Sequence, residues 1–293
     1  MANLKEIRTR IASVKNTRQV TGAMKMVSAS KLKKAQDAIL RLRPYSGKLL
    51  EVLSELGASL NHEVDSPYTE QRKIRRVLIV LISSNGGLCG AFNTNIAREA
   101  AELAEKHYGD RLAAGQVDFL AIGKQGETAL KTRGIRVSTA DHELLDKHGF
   151  TETMPAAEAL MKKFRSGTYD RVELVYNQFK NAAVQLPVKE RFLPVQLGTN
   201  EQDDDLPNAD FIFEPSRQEI IRELIPRALK MQFYRALADS AAAEHGARMT
   251  AMHQATDNAT ELIRELTITF NKARQAAITN QIIEVTNGAE TLR

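Results

Sequence analysis

With 293 residues, 43% of them hydrophobic, the chain can bury a substantial core in one or two domains without covalent or metal staples. Cys89 is the only cysteine, which excludes an intrachain disulfide and points to a reducing compartment. The net charge of +5 hides an asymmetry: up to Lys48, twelve basic residues face only Glu6 and Asp37, so this stretch carries +10 and the remainder about −5.

The opening MANLKEIRTR lacks the apolar run of a signal peptide, and its acidic Glu6 and helical periodicity argue against a transit peptide. Leu4, Ile7, Ile11 and Val14 recur every three or four residues, as do Leu32, Ala35, Ile39 and Leu42, so residues 3 to about 60 read as helix. Pro44 is its one strong breaker, and because Leu49, Leu53, Leu56 and Leu60 resume the spacing, a kink is expected rather than a stop. Between the two runs lies TGAMKMVSASKLKK, where basic residues, serines and two methionines interrupt the apolar stripe.

The period then changes. VLIVLIS at 77–83 reads as a buried strand, 93–107 as an Ala/Glu-rich helix and VDFLAIG at 117–123 as a second strand. Helices near 124–132 and 154–166, a short strand at 135–138, and strands at 171–177 and 184–193 continue an alternation that implies an open sheet covered by helices. The longest uninterrupted apolar run, Val77 to Ile82, is far short of the roughly 20 residues that span a bilayer. Any membrane association is expected to come through partners.

QDDDLPNAD at 202–210 reads as a solvated linker, and FIFEPS leads into a second helical region. Pro226 is expected to kink or divide it, leaving about 60 residues before Gly288, or about 90 Å of helix at 1.5 Å per residue. Ala255, Ala259, Leu262, Leu266, Thr269, Ala273, Ala276, Asn280 and Ile283 form a four-three repeat, the seam of a coiled coil. Because the α/β segment lies between the two long helices in sequence, they are expected to pair antiparallel. The fold class is therefore α/β: a long antiparallel coiled coil of N- and C-terminal helices (1–60 and 211–293) with an inserted Rossmann-like α/β domain (74–196).

Chemistry-bearing motifs are weak. SSNGGLCGAFN at 83–93 sits where a glycine-rich turn could cradle phosphate, but it lacks the P-loop Lys and the GxGxxG spacing, so a tight strand-to-helix turn is the better reading. His142 and His148 are six apart, His245 and His253 eight apart, and no HExxH or CxxC occurs; neither a metal site nor a nucleophile–base–orienter set is expected. The basic helix could grip nucleic acid, but it lacks interleaved aromatics and its apolar stripe implies a helical partner. A nucleotide-dependent enzyme and a nucleic-acid-binding coiled coil stand as alternatives; the first predicts tight nucleotide binding by the chain, the second retention on DNA with a steep salt slope.

KEIRTRIASVKNTRQVTGAMKMVSASKLKKAQ, SSNGGLCGAFN, FIFEPS, ARMTAMHQATDNATELI and NKARQAAITNQIIEVTNGA, in this order and over almost the whole chain, resemble the gamma subunit family of F-type ATP synthases. The resemblance implies a non-catalytic rotor shaft without cofactor or metal, one copy per complex, turned by a proton-driven membrane c ring inside a hexamer of alpha and beta subunits. It implies epsilon as a further partner, no nucleic acid, and a peripheral position on the cytoplasmic face of the bacterial plasma membrane. Met24 and Arg248, in GAMKMV and ARMTAM, match positions near the acidic lever of beta, Lys25 beside Met24 falls toward the alpha and beta hexamer, and Arg274 and Gln275, in KARQA, match the pair facing the catch loop of beta. Thr279 and Glu284 fall on the tail pattern at the shaft's top; Arg43, Tyr45, Phe213 and Glu214 fall at the foot, toward epsilon and the c ring. Gln281 stands where the family usually has Glu, and Phe213 where Tyr is common. On this view the polar and basic residues and Met24 and Met26 weaken apolar docking wells, so that a shaft can leave each resting position.

Overall fold

The computed structural model describes residues 4–59, 66–146, 149–195 and 216–290. The chain divides into two compact units, Ser30–Ala247 and Met1–Ala29 with Arg248–Arg293. Helix α1 (Leu4–Ser59) and helix α5 (Arg217–Glu290) each contribute residues to both.

In the larger unit, β1 (Val77–Ile82), β2 (Val117–Ile122), β3 (Thr139–Asp141), β4 (Arg171–Phe179) and β5 (Gln185–Leu193) form one sheet in the order β3-β2-β1-β4-β5. The first four strands are parallel, and β5 returns antiparallel beside β4. Between them run α2 (Phe92–Ala113), α3 (Lys124–Thr132) and α4 (Phe150–Arg165). The strand expected at 135–138 lies further along, at 139–141; residues 135–137 lead into it, with Ile135 and Val137 packed against the core. Their apolar character reflects that packing rather than ladder pairing.

Strand β1 is buried along its whole length because both of its faces are covered. Its alternate side chains sort into two cores. Val77, Ile79 and Leu81 pack with Ile96, Ala100 and Ala104 of α2 and Leu130 of α3. Leu78, Val80 and Ile82 pack with Leu160, Met161 and Phe164 of α4, and with Leu49 and Leu53 of α1 and Ile225, Leu229 and Phe233 of α5. The sheet therefore uses the terminal helices as one of its covering layers. Within this unit α1 and α5 run antiparallel: Ile39 and Leu42 line a cavity with Ala238 and Asp239, whereas Leu49 lines one with Ala228 and Met231.

Helix α1 continues through Pro44, and α5 runs through Pro226 as one 74-residue helix, about 110 Å at 1.5 Å per residue. The expected division at Pro226 does not occur. Ile225 and Leu229 are both buried on the flanking turns, so core packing holds the helix together where a backbone hydrogen bond is lost.

In the smaller unit, the buried positions of α1 are Ile7, Thr21 and Ser28, with Leu4, Ile11, Val14, Arg18 and Lys25 half-buried on the same three-four spacing. The stripe is thus not broken at residues 21–28; small hydroxyl residues carry it. Thr21 Oγ1 lies 2.8 Å from Thr256 Oγ1 of α5, whose own proton goes to the Met252 carbonyl at 2.7 Å. On α5 the covered positions are Met252, Ala255, Thr256, Ala259, Ile263, Leu266, Phe270, Ala273 and Ala277. This corrects half of the expected seam: Ala255, Ala259, Leu266 and Ala273 belong to it, but Leu262, Thr269, Ala276, Asn280 and Ile283 are exposed. Ile263, Phe270 and Ala277 take the places assigned to Leu262, Thr269 and Ala276. Two four-three patterns one residue apart overlap in this sequence, and the larger Ile263 and Phe270 side chains occupy the covered one.

Candidate interaction surface

In a doubly wound sheet, ligands settle in the crevice at the carboxyl ends of the strands where the strand order reverses, here between β1 and β4. That crevice is filled by α5. Ser240 donates to the carbonyl of Ile82, the last residue of β1, at 3.5 Å. Gly246 packs on the end of β4; a Cβ there would stand 3.3 Å from the Ala182 backbone and 3.4 Å from the Phe179 ring.

The turn of residues 83–91 is tied into the protein by its own side chains. Ser83 donates to the Ile122 and Gly123 carbonyls at 2.9 and 3.2 Å and accepts from the Gly126 amide at 3.0 Å. Asn93 accepts from the Ser84 amide at 3.1 Å and donates to Cys89 Sγ, also at 3.1 Å. Asn85 bridges the Lys124 amide and the His142 carbonyl. Leu88 holds a positive φ of 63° beside Gly90 at 61°, the left-handed pair that reverses the chain from β1 into α2. This is the strand-to-helix turn expected of SSNGGLCGAFN, and Cys89 is a packed side chain within it.

Of the histidines read as metal candidates, His142 Nε2 meets Glu127 Oε2 at 2.7 Å, and His148 lies outside the described residues. The same Glu127 receives Lys131 at 2.6 Å. The Lys131 hydrogen bond first, and the His142 one next, hold its carboxyl below the usual range.

The residues singled out for partner contact lie on helix surfaces. Met24, Lys25 and Arg248 are half-buried. Arg274, Gln275, Thr279 and Glu284 are exposed, and Thr279 donates its hydroxyl back to the Gln275 carbonyl at 3.0 Å. Tyr45 is exposed, Arg43 lies in α1, and Phe213 and Glu214 lie outside the described residues. Apart from Met26, charge and polarity patterns missed the apolar part of this surface. Val20, Met26 and Val27 of α1 and Ile268, Ile278, Ile282, Ile283 and Val285 of α5 are exposed, Met26 at 70% and Val285 at 73%. Isolated exposed apolar residues are ordinary, but here four fall within eight residues of one helix turn sequence, from Ile278 to Val285. The readable signal was ITNQIIEV, an apolar cluster beyond the last covered position, Ala277.

No described helix is long and apolar enough to cross a membrane.

An α/β sheet domain carried in sequence between two long terminal helices, one of which packs over the ends of β1 and β4, defines the class as a mixed α/β protein with long N- and C-terminal helices. A family model described as ATP synthase matches residues 3–292. The ATP synthase gamma chain of Flavobacterium psychrophilum is 53% identical over 293 residues, covering all of both chains. That of Cytophaga hutchinsonii is 47% identical, covering all of this chain and 99% of its own. This chain belongs to the ATP synthase gamma chain family. Among solved structures it is similar in fold to a chain of the Euglena gracilis mitochondrial ATP synthase, at a TM-score of 0.67 and 19% identity, covering 99% of this chain and 94% of that one. A chain of the Tetrahymena thermophila mitochondrial ATP synthase central stalk and c ring matches at a TM-score of 0.57 and 24% identity, over 80% and 99%.

Proposed function

We propose that this chain is the central-stalk rotor subunit of a bacterial proton-translocating ATP synthase, carrying rotation of a membrane c ring to a catalytic hexamer of alpha and beta subunits. Its working parts are the terminal helices, 1–60 and 211–293, and the α/β domain of 74–196. Full-length identity to gamma chains supports this reading. The observation that carries it is the exposed apolar cluster from Ile278 to Val285 on α5, which has hydrophobic surface and no cover of its own. A surrounding sleeve of other subunits supplies that cover.

The chain itself breaks and makes no bond. Its chemistry is differential contact: each orientation of an asymmetric helix surface favours one conformation of each neighbouring subunit, and the difference in contact energy shifts their populations. The exposed, unbranched Met26 keeps these contacts shallow. Met24 and Arg248 meet the acidic lever of beta, and Lys25 faces the alpha and beta hexamer; Arg274 and Gln275 meet the catch loop of beta; Thr279 and Glu284 lie toward the top. Arg43, Tyr45, Phe213 and Glu214 face epsilon and the c ring. The complex sits on the cytoplasmic face of the plasma membrane, and this chain is held there by its partners.

The test is copurification followed by crosslinking. Affinity capture of the tagged chain from solubilised membranes brings down alpha, beta, epsilon and c subunits in the presence of competitor DNA. In a Cys89→Ala background, a single cysteine at Gln275 crosslinked to beta abolishes proton-driven ATP formation, and reduction of the bond restores it. Undiminished synthesis with the crosslink intact overturns the rotor assignment.

A further inference from the structure

The amino-terminal ends of the parallel strands make an edge that the partner contacts assigned above do not use. Four segments meet there: residues 70–76 ahead of β1, the carboxyl end of α2, residues 133–138 ahead of β3, and the carboxyl end of α4. Arg111 of α2 donates to the Ile74 carbonyl at 2.9 Å, Arg76 meets Asp118 at 2.8 Å, and Ser138 donates to the same carboxylate at 2.7 Å. Arg72 joins α4 to them by donating to the Phe164 carbonyl at 3.2 Å. Lys73, Arg75, Arg133, Arg136, Lys162 and Arg165 are exposed on this edge, and none has an ion-pair partner among the described residues. The acids between them are engaged: Glu70 by Arg72, Asp118 by Arg76, and Asp170 by the amides of Arg75 and Arg76 at 2.7 and 2.9 Å. Asp110 is left as an exposed counter-charge. Cations at helix carboxyl ends answer the helix dipole, which accounts for Arg133, Lys162 and Arg165. Lys73, Arg75 and Arg136 lie in no helix, so the dipole does not explain them.

Helix α5 fixes which way the edge faces. Gln232 donates to the Arg191 carbonyl, level with Glu173 near the start of β4, while Ser240 reaches the last residue of β1. The helix therefore rises along the strands from this edge, and its first turn, at Arg217, lies toward it. Phe213 and Glu214, which the proposed function turns to the membrane ring, precede Arg217 by four and three residues. Resting on that rotor reading, we propose that the edge docks on the anionic phospholipid surface around the c ring, with Lys73, Arg75 and Arg136 against the headgroup phosphates. Long cationic arms at the ends of several elements suit a plane of phosphate monoanions. The aromatics of the edge, Phe164 and Tyr169, are buried under Arg72 and Arg76, so none is presented for stacking on nucleic-acid bases. Because each contact is a screened point charge, the edge slides over lipid without locking to it, as a turning subunit requires.

The test is flotation of the soluble assembly of alpha, beta, epsilon and this chain with phosphatidylcholine vesicles, with and without phosphatidylglycerol, at low and high salt. The assembly should float with the anionic vesicles at low salt, come off at high salt, and stay behind with the neutral ones. Lys73→Gln, Arg75→Gln and Arg136→Gln together should weaken this binding about 10-fold or more, whereas Lys31→Gln, Lys33→Gln and Lys34→Gln on α1, an equal loss of charge, should leave it near wild type. All six side chains are exposed, so neither variant disturbs a core. An assembly that forms but does not float overturns the proposal and leaves the rotor reading standing, and flotation by the chain alone would then assign the edge to another subunit. Where no assembly forms, the rotor reading falls, and the full-length chain decides by the same comparison of wild type with the edge variant. Equal flotation of those two overturns the proposal. So does a difference between them that emerges only after Asp203→Asn, Asp204→Asn and Asp205→Asn, since the chain's own acidic stretch would then be the occupant.

Discussion

Tyr108 shows how one side chain can tie a helix to a sheet and set an alkaline limit on stability. Buried on α2, it donates to Glu173 Oε1 of β4 at 2.8 Å and accepts from Arg171 at 3.2 Å, and at this residue α2 leaves helical geometry, with φ −136° and ψ 23°. Burial pushes the phenol up to about 12, with the Glu173 charge a further cause. A phenol kept neutral in the folded state contributes stability in full below the unfolded value near 10, and this is lost as pH rises toward 12. Tyr108→Phe should flatten the fall in thermal midpoint between pH 10 and 12. The flattening is partial, because burial and Glu190 push Tyr176 in the same direction. At neutral pH the variant should cost about 1.5–3 kcal/mol by depriving buried Glu173 of its donor. A pH profile parallel to wild type would refute the assignment. Gly126 is a second single-atom constraint: a Cβ there would stand 2.4 Å from Ser83 Oγ, a short buried side chain fixed by three hydrogen bonds. Gly126→Ala should destabilise the sheet domain by about 1–3 kcal/mol in urea unfolding, and Ser83→Gly in the same chain should recover part of that.

Among the elements, α5 does two jobs that its sequence does not announce. From Ile221 to Ala243 it is a core helix of the sheet domain, and from Arg248 onward it carries a seam that ends at Ala277. The phase of that seam is testable, because two overlapping repeats make opposite predictions for adjacent residues. Ile263→Ala, on the half-covered position, should lower stability by about 1–2 kcal/mol, whereas Leu262→Ala should stay within about 0.5 kcal/mol. Equal losses, or the reverse order in thermal unfolding, would restore the phase that runs through Leu262. Thr21 and Thr256 add a polar register mark to the seam. Thr21→Val alone should cost about 1 kcal/mol, and the double change with Thr256→Val should be less damaging than the two singles added, as a double-mutant cycle would register.

At the level of the whole molecule, the informative feature is hydrophobic surface that folding leaves uncovered. Ile278, Ile282, Ile283 and Val285 add nothing to the chain's own core. Replacing Ile278, Ile282 and Val285 with Ser should leave the chain's own unfolding midpoint unchanged while weakening its retention in the assembled complex, read as the fraction of this subunit lost on dilution of the purified enzyme. A large drop in the chain's own midpoint would mean that these residues are internal after all.

Element types and their order were legible from the sequence because they rest on local periodicity. The unbroken apolar run at Val77–Ile82 and the three-four spacing from Leu4 onward are local patterns, and so is the alternation of strand and helix signals between the two long helices. The family, too, followed from motifs in order along the chain. Other features were not legible, because they depend on which surfaces meet. The filling of the β1–β4 crevice joins Ser240 to Ile82, 158 positions away, and Gly246 to Phe179 and Ala182 across the intervening strand. The choice of Ile263 over Leu262 turns on which of two equivalent stripes finds a neighbour, and the position of β3 on which residues of 135–141 reach the edge of β2. The sequence by itself determined where the chain could be helical or extended and how much apolar surface it had to hide. Only the tertiary structure decided which of that surface was hidden, since burial belongs to pairs of distant segments and not to any one of them.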